Sequence, residues 1–270
     1  MIVPLLRRLA TSGFGAGEAL RICLLLAAAT LAGLLPRHGL AVEPFNVDVE
    51  LVLAADGSGS IDNDELAFQR DGYAQAVTSE DVLNAIRSGV HGAIALAYVE
   101  WGGPASQHTI VDWMIVRDAD SAKAFADALR ARPRAAIGYN SISAAIDYSV
   151  GLLETNDARG LRRVIDVSGD GPNIGGRSVR AARDDAVARG ITVNGLVIQR
   201  PGGGYRGPSG EPLDVHYRND VIGGPGSFVM VAGGELDFAE AVRRKMVLEI
   251  AGRVPAKPVT GRASLVRSAD

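Results

Sequence analysis

One cysteine, Cys23, stands in 270 residues, so no intrachain disulfide framework holds this protein together. Histidine is nearly as scarce: His38, His91, His108 and His216 are scattered and lack the paired spacing of a zinc site. Aromatic residues make up only 5% of the chain, and the net charge of −3 leaves no basic stripe. That balance argues against nucleic acid and against a polybasic membrane surface as partners. No Gly-Lys-Ser/Thr phosphate loop occurs. What is present is ordinary for a folded domain with extensions, 47% apolar and 22% charged residues, enough to bury a sizeable core.

The longest uncharged apolar run, Ile22 to Leu35, is too short to span a bilayer comfortably. It follows Arg7, Arg8 and Arg21 and is closed by Pro36 and the small-residue segment Gly39-Leu40-Ala41. This order of basic, apolar and small residues predicts a signal peptide over residues 1–41 and an exported protein, periplasmic or secreted. The alternative is an uncleaved anchor. A twin-arginine signal fits poorly after Arg7-Arg8. Cleavage after Ala41 removes Cys23, Glu18 and the basic residues Arg7, Arg8, Arg21 and Arg37, leaving 24 basic and 30 acidic groups and no stable membrane span.

From Asn46 to Gly252 strand-like and helix-like segments alternate. Strands are expected over Val49–Ala55, Ala93–Trp101, His108–Val116, Arg163–Ser168, Ile191–Ile198 and Ser227–Ala232. Several are continuous apolar runs, as in strands covered on both faces. Helices are expected over Asn63–Val77, Glu80–Ser88, Ser121–Ala131, Ser141–Leu153, Ser178–Arg189 and Leu236–Ala251. Ile142, Ala145, Ile146 and Ser149 form one helical stripe, and Phe238, Ala241, Val242, Met246 and Ile250 another. The fold class is therefore α/β: a doubly wound, mainly parallel sheet with helices on both faces. Segment 107–116 follows its predecessor after a short Gly-Gly-Pro loop and is expected as an antiparallel edge strand. The domain should span residues 46–252. Arg200–Pro225 is a long glycine- and proline-rich connection, functional or disordered, and 253–270 reads as a disordered tail.

The chemistry concentrates at Asp56-Gly57-Ser58-Gly59-Ser60, between the first strand and an acidic helix start. Open α/β sheets bind ligands at this carboxyl edge. One carboxylate and two hydroxyls on a loop kept thin by glycine suit a small hard cation. The bland reading of such a turn is a helix cap. Two further loops fall at the same edge: Gly138-Tyr139-Asn140-Ser141 and Ser168-Gly169-Asp170-Gly171-Pro172-Asn173.

With these three loops the chain resembles the von Willebrand factor type A domain over most of residues 46–252, and looks most like an uncharacterised exported bacterial branch of it. That family carries an Asp-x-Ser-x-Ser turn, a threonine opening a central helix and an Asp-Gly after the fourth strand, which build a metal-ion-dependent adhesion site. The resemblance implies a metal set of Asp56, Ser58, Ser60 and Asp170, with Asn140 where the family has threonine, or Ser141 one residue later. It implies a divalent cation, Mg²⁺ in first place with Mn²⁺ or Ca²⁺ as alternatives. It also implies a non-enzymatic module that grips the carboxylate of a protein or peptide partner. The competing function is a metal-dependent hydrolase acting on a phosphate or other ester, against which the three loops carry no histidine or lysine.

Other residues read as structural. Asp166, inside an apolar strand, calls for a charge partner. Glu100 and Trp101 read as a satisfied strand end, and Tyr217, Arg218 and Asp220 as solvated loop. Asn173 reads equally as an orienter of Asp170 or as a turn residue.

Overall fold

The protein is described here by a computed structural model covering residues 45–199, 204–233 and 235–252. The expected signal peptide and tail lie outside the described residues. Six strands form one sheet in the order β3-β2-β1-β4-β5-β6. They are β1 (Phe45–Asp56), β2 (Ile94–Trp101), β3 (Gln107–Val116), β4 (Ala158–Gly169), β5 (Ile191–Ile198) and β6 (Val229–Ala232). All neighbours pair parallel except β2 and β3, which pair antiparallel at the edge, as the short Gly-Gly-Pro connection requires. The helices are α1 (Asn63–Val77), α2 (Glu80–Arg87), α3 (Ala119–Ala131), α4 (Ile142–Thr155), α5 (Val179–Ala188), α6 (Leu213–His216) and α7 (Glu235–Ala251). Among the described residues no helix is long and apolar enough to cross a membrane.

Strand β1 shows why the fold is doubly wound. Every residue from Val47 to Asp56 is buried, and the side chains alternate between two cores. Leu51, Leu53 and Ala55 join Tyr73 of α1, Leu83 of α2, Phe125 of α3 and Val242 of α7. Val52 and Ala54 join Ile142 and Ile146 of α4 and Val179 and Ala182 of α5. The sheet is therefore covered on both faces, and its carboxyl edge is left to the loops.

Local chemistry sets the helix starts. Asp62 accepts from the amides of Asp64 and Glu65 at 2.9 and 2.8 Å, while Glu65 Oε2 accepts from the Asp62 amide at 2.9 Å. This capping box starts α1 right after the Asp56–Ser60 loop. β4 begins five residues earlier than its apolar run suggested. Its first half pairs with β1 (Phe45 opposite Ala158) but alternates outward, exposing Arg159 and Leu161. The long connection differs most from expectation. It contains α6, continued as one π turn over Tyr217–Val221, with Leu213, His216, Tyr217 and Val221 all buried.

Inside the sheet, Asp166 meets the ammonium of Lys245 from α7 at 2.7 Å, the structural pairing expected of a buried acid. Lys245 also pairs with Glu249, whose Oε1 accepts from Asn194 Nδ2 at 2.8 Å. Two buried carboxylates thus share one cation. Burial, then the Asp166 charge, pushes the Glu249 carboxyl up to about 7.

Candidate metal centre

Three loops meet at the carboxyl edge of β1 and β4. Asp56 is the last residue of β1 and is fully buried, as is Ser58. Asp56 Oδ1 accepts the Ser58 amide at 2.8 Å, which folds the turn back on its own carboxylate. Ser58 Oγ lies 3.0 Å from Ser60 Oγ, and Ser60 Oγ donates to Asp170 Oδ1 at 3.1 Å. Residues 110 positions apart in sequence thereby share one oxygen cluster.

The 138–141 loop supplies the next group. Gly138 takes a φ of 90°, open to glycine, and its carbonyl accepts the Gly59 amide at 2.8 Å. Asn140 then points its amide at the cluster, with Nδ2 3.4 Å from Asp56 Oδ2. Ser141 turns the other way: its hydroxyl donates to the Gly175 carbonyl at 2.9 Å. The two alternatives for the threonine position are thus separated in space, and Asn140 is the one beside Asp56. Asn140 also presses on the Asp-Gly turn, where a Cβ on Gly171 would come 2.5 Å from its Nδ2. Asp56, Ser58, Ser60, Asn140 and Asp170 are brought together; Ser141 stands next to them with its hydroxyl engaged elsewhere.

The electrostatics at Asp56 are set by burial and by a like charge. Burial, then the Asp170 charge, raises the Asp56 carboxyl to about 7. Among the described residues the groups that oppose this are neutral donors, the Ser58 amide and hydroxyl and the Asp170 backbone. Asp166, one strand away, contrasts with it: there the opposing group is the Lys245 ammonium. A buried carboxylate held by hydroxyls and amides, beside a second buried carboxylate, fits a cation better than it fits a structural ion pair. Hydroxyls, an amide and carboxylates are also the oxygen donor set that Mg²⁺, Mn²⁺ and Ca²⁺ select.

Two supporting residues, Arg134 and Arg70, carried no sequence signal. Arg134 reaches under the first loop and donates to the carbonyls of Gly57 and Ser58, both at 2.8 Å, and Ile61, at 2.7 Å. Arg70 donates from Nε to Glu100 Oε1 at 2.7 Å and also to the carbonyls of Arg132 and Pro133. Glu100 is therefore paired through Oε1, while its Oε2 is buried without a hydrogen-bond partner among the described residues. Trp101 is satisfied, its Nε1 donating to the Ala54 carbonyl at 3.0 Å. Asn173 contacts no aspartate in the site; its Oδ1 accepts the Ser143 amide at 2.9 Å and so caps α4, where Ser141 makes no side-chain cap. Tyr217, expected in solvent, is fully buried, and its hydroxyl lies 3.4 Å from the Gly171 carbonyl. Burial, then the Asp56 and Asp170 charges, pushes that hydroxyl well above its ordinary value, so it stays neutral. The only signals that could have located Tyr217 are the apolar Leu213, Val215 and Val221 around it.

A second ionisable group lies on the same connection. His216 Nδ1 is 2.7 Å from Asp220 Oδ2 and 3.6 Å from Glu211 Oε1. Arg180 also pairs with Asp220 at 2.5 Å. The arrangement is a mixed-charge cluster that ties α5 to the π turn.

Comparison with curated proteins finds no match. Solved structures do match in fold. A von Willebrand factor type A protein from Catenulispora acidiphila superposes with a TM-score of 0.52 at 15% identity, covering 76% of this chain and 43% of that one. Proximal thread matrix protein 1 from the mussel byssus, solved with a zinc-occupied MIDAS (metal-ion-dependent adhesion site) motif, gives 0.53 at 13%, covering 76% and 46%. The pilus adhesin SpaC from Lactobacillus rhamnosus GG gives 0.53 at 14%, covering 78% and 30%. The chain spans less than half the length of each of these, and identities this low speak to fold alone. That fold is the von Willebrand factor type A fold expected from the three loops. The model of one sequence family, described as "Protein of unknown function (DUF1194)", matches residues 46–254, and the chain belongs to that family.

Proposed function

We propose that this protein is an exported, non-enzymatic binding module that holds a divalent cation at Asp56, Ser58, Ser60, Asn140 and Asp170 and through it grips a carboxylate of a protein or peptide partner. The observation that carries the reading is the convergence of these oxygen-bearing side chains, from three loops, around a fully buried Asp56. Asn140 would serve in place of a hydroxyl by turning its amide so that Oδ1 faces Asp56, an exchange of the two amide ends that needs no backbone movement. Ser141, engaged with Gly175, would remain outside. A divalent ion held by these residues would supply a positive centre that attracts an incoming carboxylate.

Export rests on the 1–41 segment, with cleavage after Ala41. The fold relatives are in keeping with a binding role: one is titled a pilus adhesin, and another is titled with a zinc-occupied MIDAS motif. Mg²⁺ is the first candidate, with Mn²⁺ and Ca²⁺ next. Titration calorimetry with each cation tests the reading. One site per chain, lost on Asp170→Ala, is expected, and no binding of any divalent ion would refute it.

A further inference from the structure

The buried oxygen cluster opens on one side into a cavity of about 170 Å³ lined by Ser60, Asn140 and Gly171 together with Tyr139, Ile174 and Tyr205. The last three come from three separate segments: the 138–141 loop, the loop after β4 and the connection before α6. Each is large, apolar and left in solvent, at 77%, 63% and 55% exposure. Convergence of three such side chains around one opening, with Ser60 and Asn140 at its floor, is what marks a contact surface, whereas single exposed apolar residues carry no such meaning. Tyrosines add rigid, amphipathic area of the kind that dominates binding interfaces.

The cavity is too small for a typical small-molecule site, which runs to roughly 300–1,000 Å³. It suits one inserted side chain, with the chain on either side of it lying across the rim.

Resting on the cation reading above, we infer that Tyr139, Ile174 and Tyr205 form an apolar collar that selects the residue next to the partner's carboxylate. The occupant is a peptide segment in which an aspartate or glutamate is flanked by a large aliphatic or aromatic residue. Charge complementarity sets the first half of that choice: a cation held by Ser60 and Asn140 of the floor and by Asp56 and Asp170 buried behind them would draw a carboxylate into the opening. The collar sets the second half, since a polar flank would leave the apolar rim wet and gain nothing from closing on it.

The test uses the purified protein in saturating Mg²⁺ and three short fluorescent peptides. One carries aspartate flanked by leucine and phenylalanine, one carries aspartate flanked by serines, and one carries asparagine flanked by leucine and phenylalanine. The apolar-flanked aspartate peptide should bind about tenfold tighter than the serine-flanked one. A chelator should abolish its binding, and the asparagine peptide should not bind. Ile174→Ser and Tyr205→Ser should erase the tenfold preference while leaving Mg²⁺ titration calorimetry unchanged. Equal, chelator-sensitive binding of both aspartate peptides would overturn the collar and leave the cation reading intact. So would binding of Mg²⁺ with no peptide bound, or selection of an oligosaccharide instead. Absence of Mg²⁺ binding itself would instead overturn the reading beneath it.

Discussion

Asn173 Oδ1 accepts the backbone amide of Ser143 at 2.9 Å, so a side chain from the loop after β4 caps the helix that begins behind Asn140. The loop bearing Asp170 and the loop bearing Asn140 are therefore one unit. They are further joined by the Ile174 and Gly175 amides, which donate to the Asn140 carbonyl at 2.8 and 3.1 Å. Asn173→Ala removes the cap while leaving every proposed ligand in place. Loss of a helix cap costs about 1 kcal/mol, and loss of an orienting contact around a metal typically lowers affinity about tenfold or more. Urea unfolding and Mg²⁺ titration of the same variant check both numbers.

Arg134 gives a prediction whose sign separates two accounts. If charge alone mattered, removing a guanidinium next to an acidic cluster would strengthen cation binding. Its donors instead hold the carbonyls of Gly57, Ser58 and Ile61. Arg134→Met should therefore weaken Mg²⁺ binding and cost about 1–3 kcal/mol of stability, because the loop loses the donors that fix its path. Calorimetry of the variant against the natural protein gives the sign directly.

Asp56→Asn should have opposite effects on stability and binding. It relieves a carboxyl whose ionisation is opposed by burial and by Asp170. Without added cation the variant should melt a few degrees higher, roughly 1–2 kcal/mol more stable, and should gain nothing from Mg²⁺. Differential scanning calorimetry with and without the cation reads both effects.

A pH dependence follows from the Lys245–Asp166–Glu249 group. Glu249 titrates near 7 in the folded protein against 4.5 as its ordinary value. Between those values the folded chain keeps a proton that the unfolded chain has released, so stability falls as pH rises from about 4.5 to about 7. The contribution is complete below 4.5 and gone above 7. Glu249→Gln should remove this component, so the gap between natural protein and variant should change across that window and flatten above it. Lys245→Met leaves both acids without their cation and should cost about 3–5 kcal/mol.

The sheet was legible because parallel strands buried on both faces become continuous apolar runs, as at Leu51–Ala55 and Ala93–Val99. The Asp56–Ser60 turn was legible as a loop at the carboxyl edge because it depends on local chemistry, an acid, glycines and serines at a strand end. Arg134, and the contact that Asn173 makes, were opaque for the opposite reason: each acts on backbone groups tens of residues away, at 76 and 30 positions' separation for Ser58 and Ser143, and no periodicity marks such a contact. Tyr217 was misplaced in solvent because glycines and prolines flank its segment. Its burial comes only when the connection packs back beside Gly171. The choice between Asn140 and Ser141 was open in sequence because adjacent residues share a spacing. The backbone turns one side chain toward Asp56 and the other toward Gly175.

The central claim is that five side chains from three loops hold one divalent cation. Titration calorimetry of the natural protein and of Asp170→Ala, each with Mg²⁺, Mn²⁺ and Ca²⁺, tests it most directly. The account predicts one site per chain in the natural protein and none in the variant. No heat with any of the three ions, or equal binding by both proteins, would contradict it.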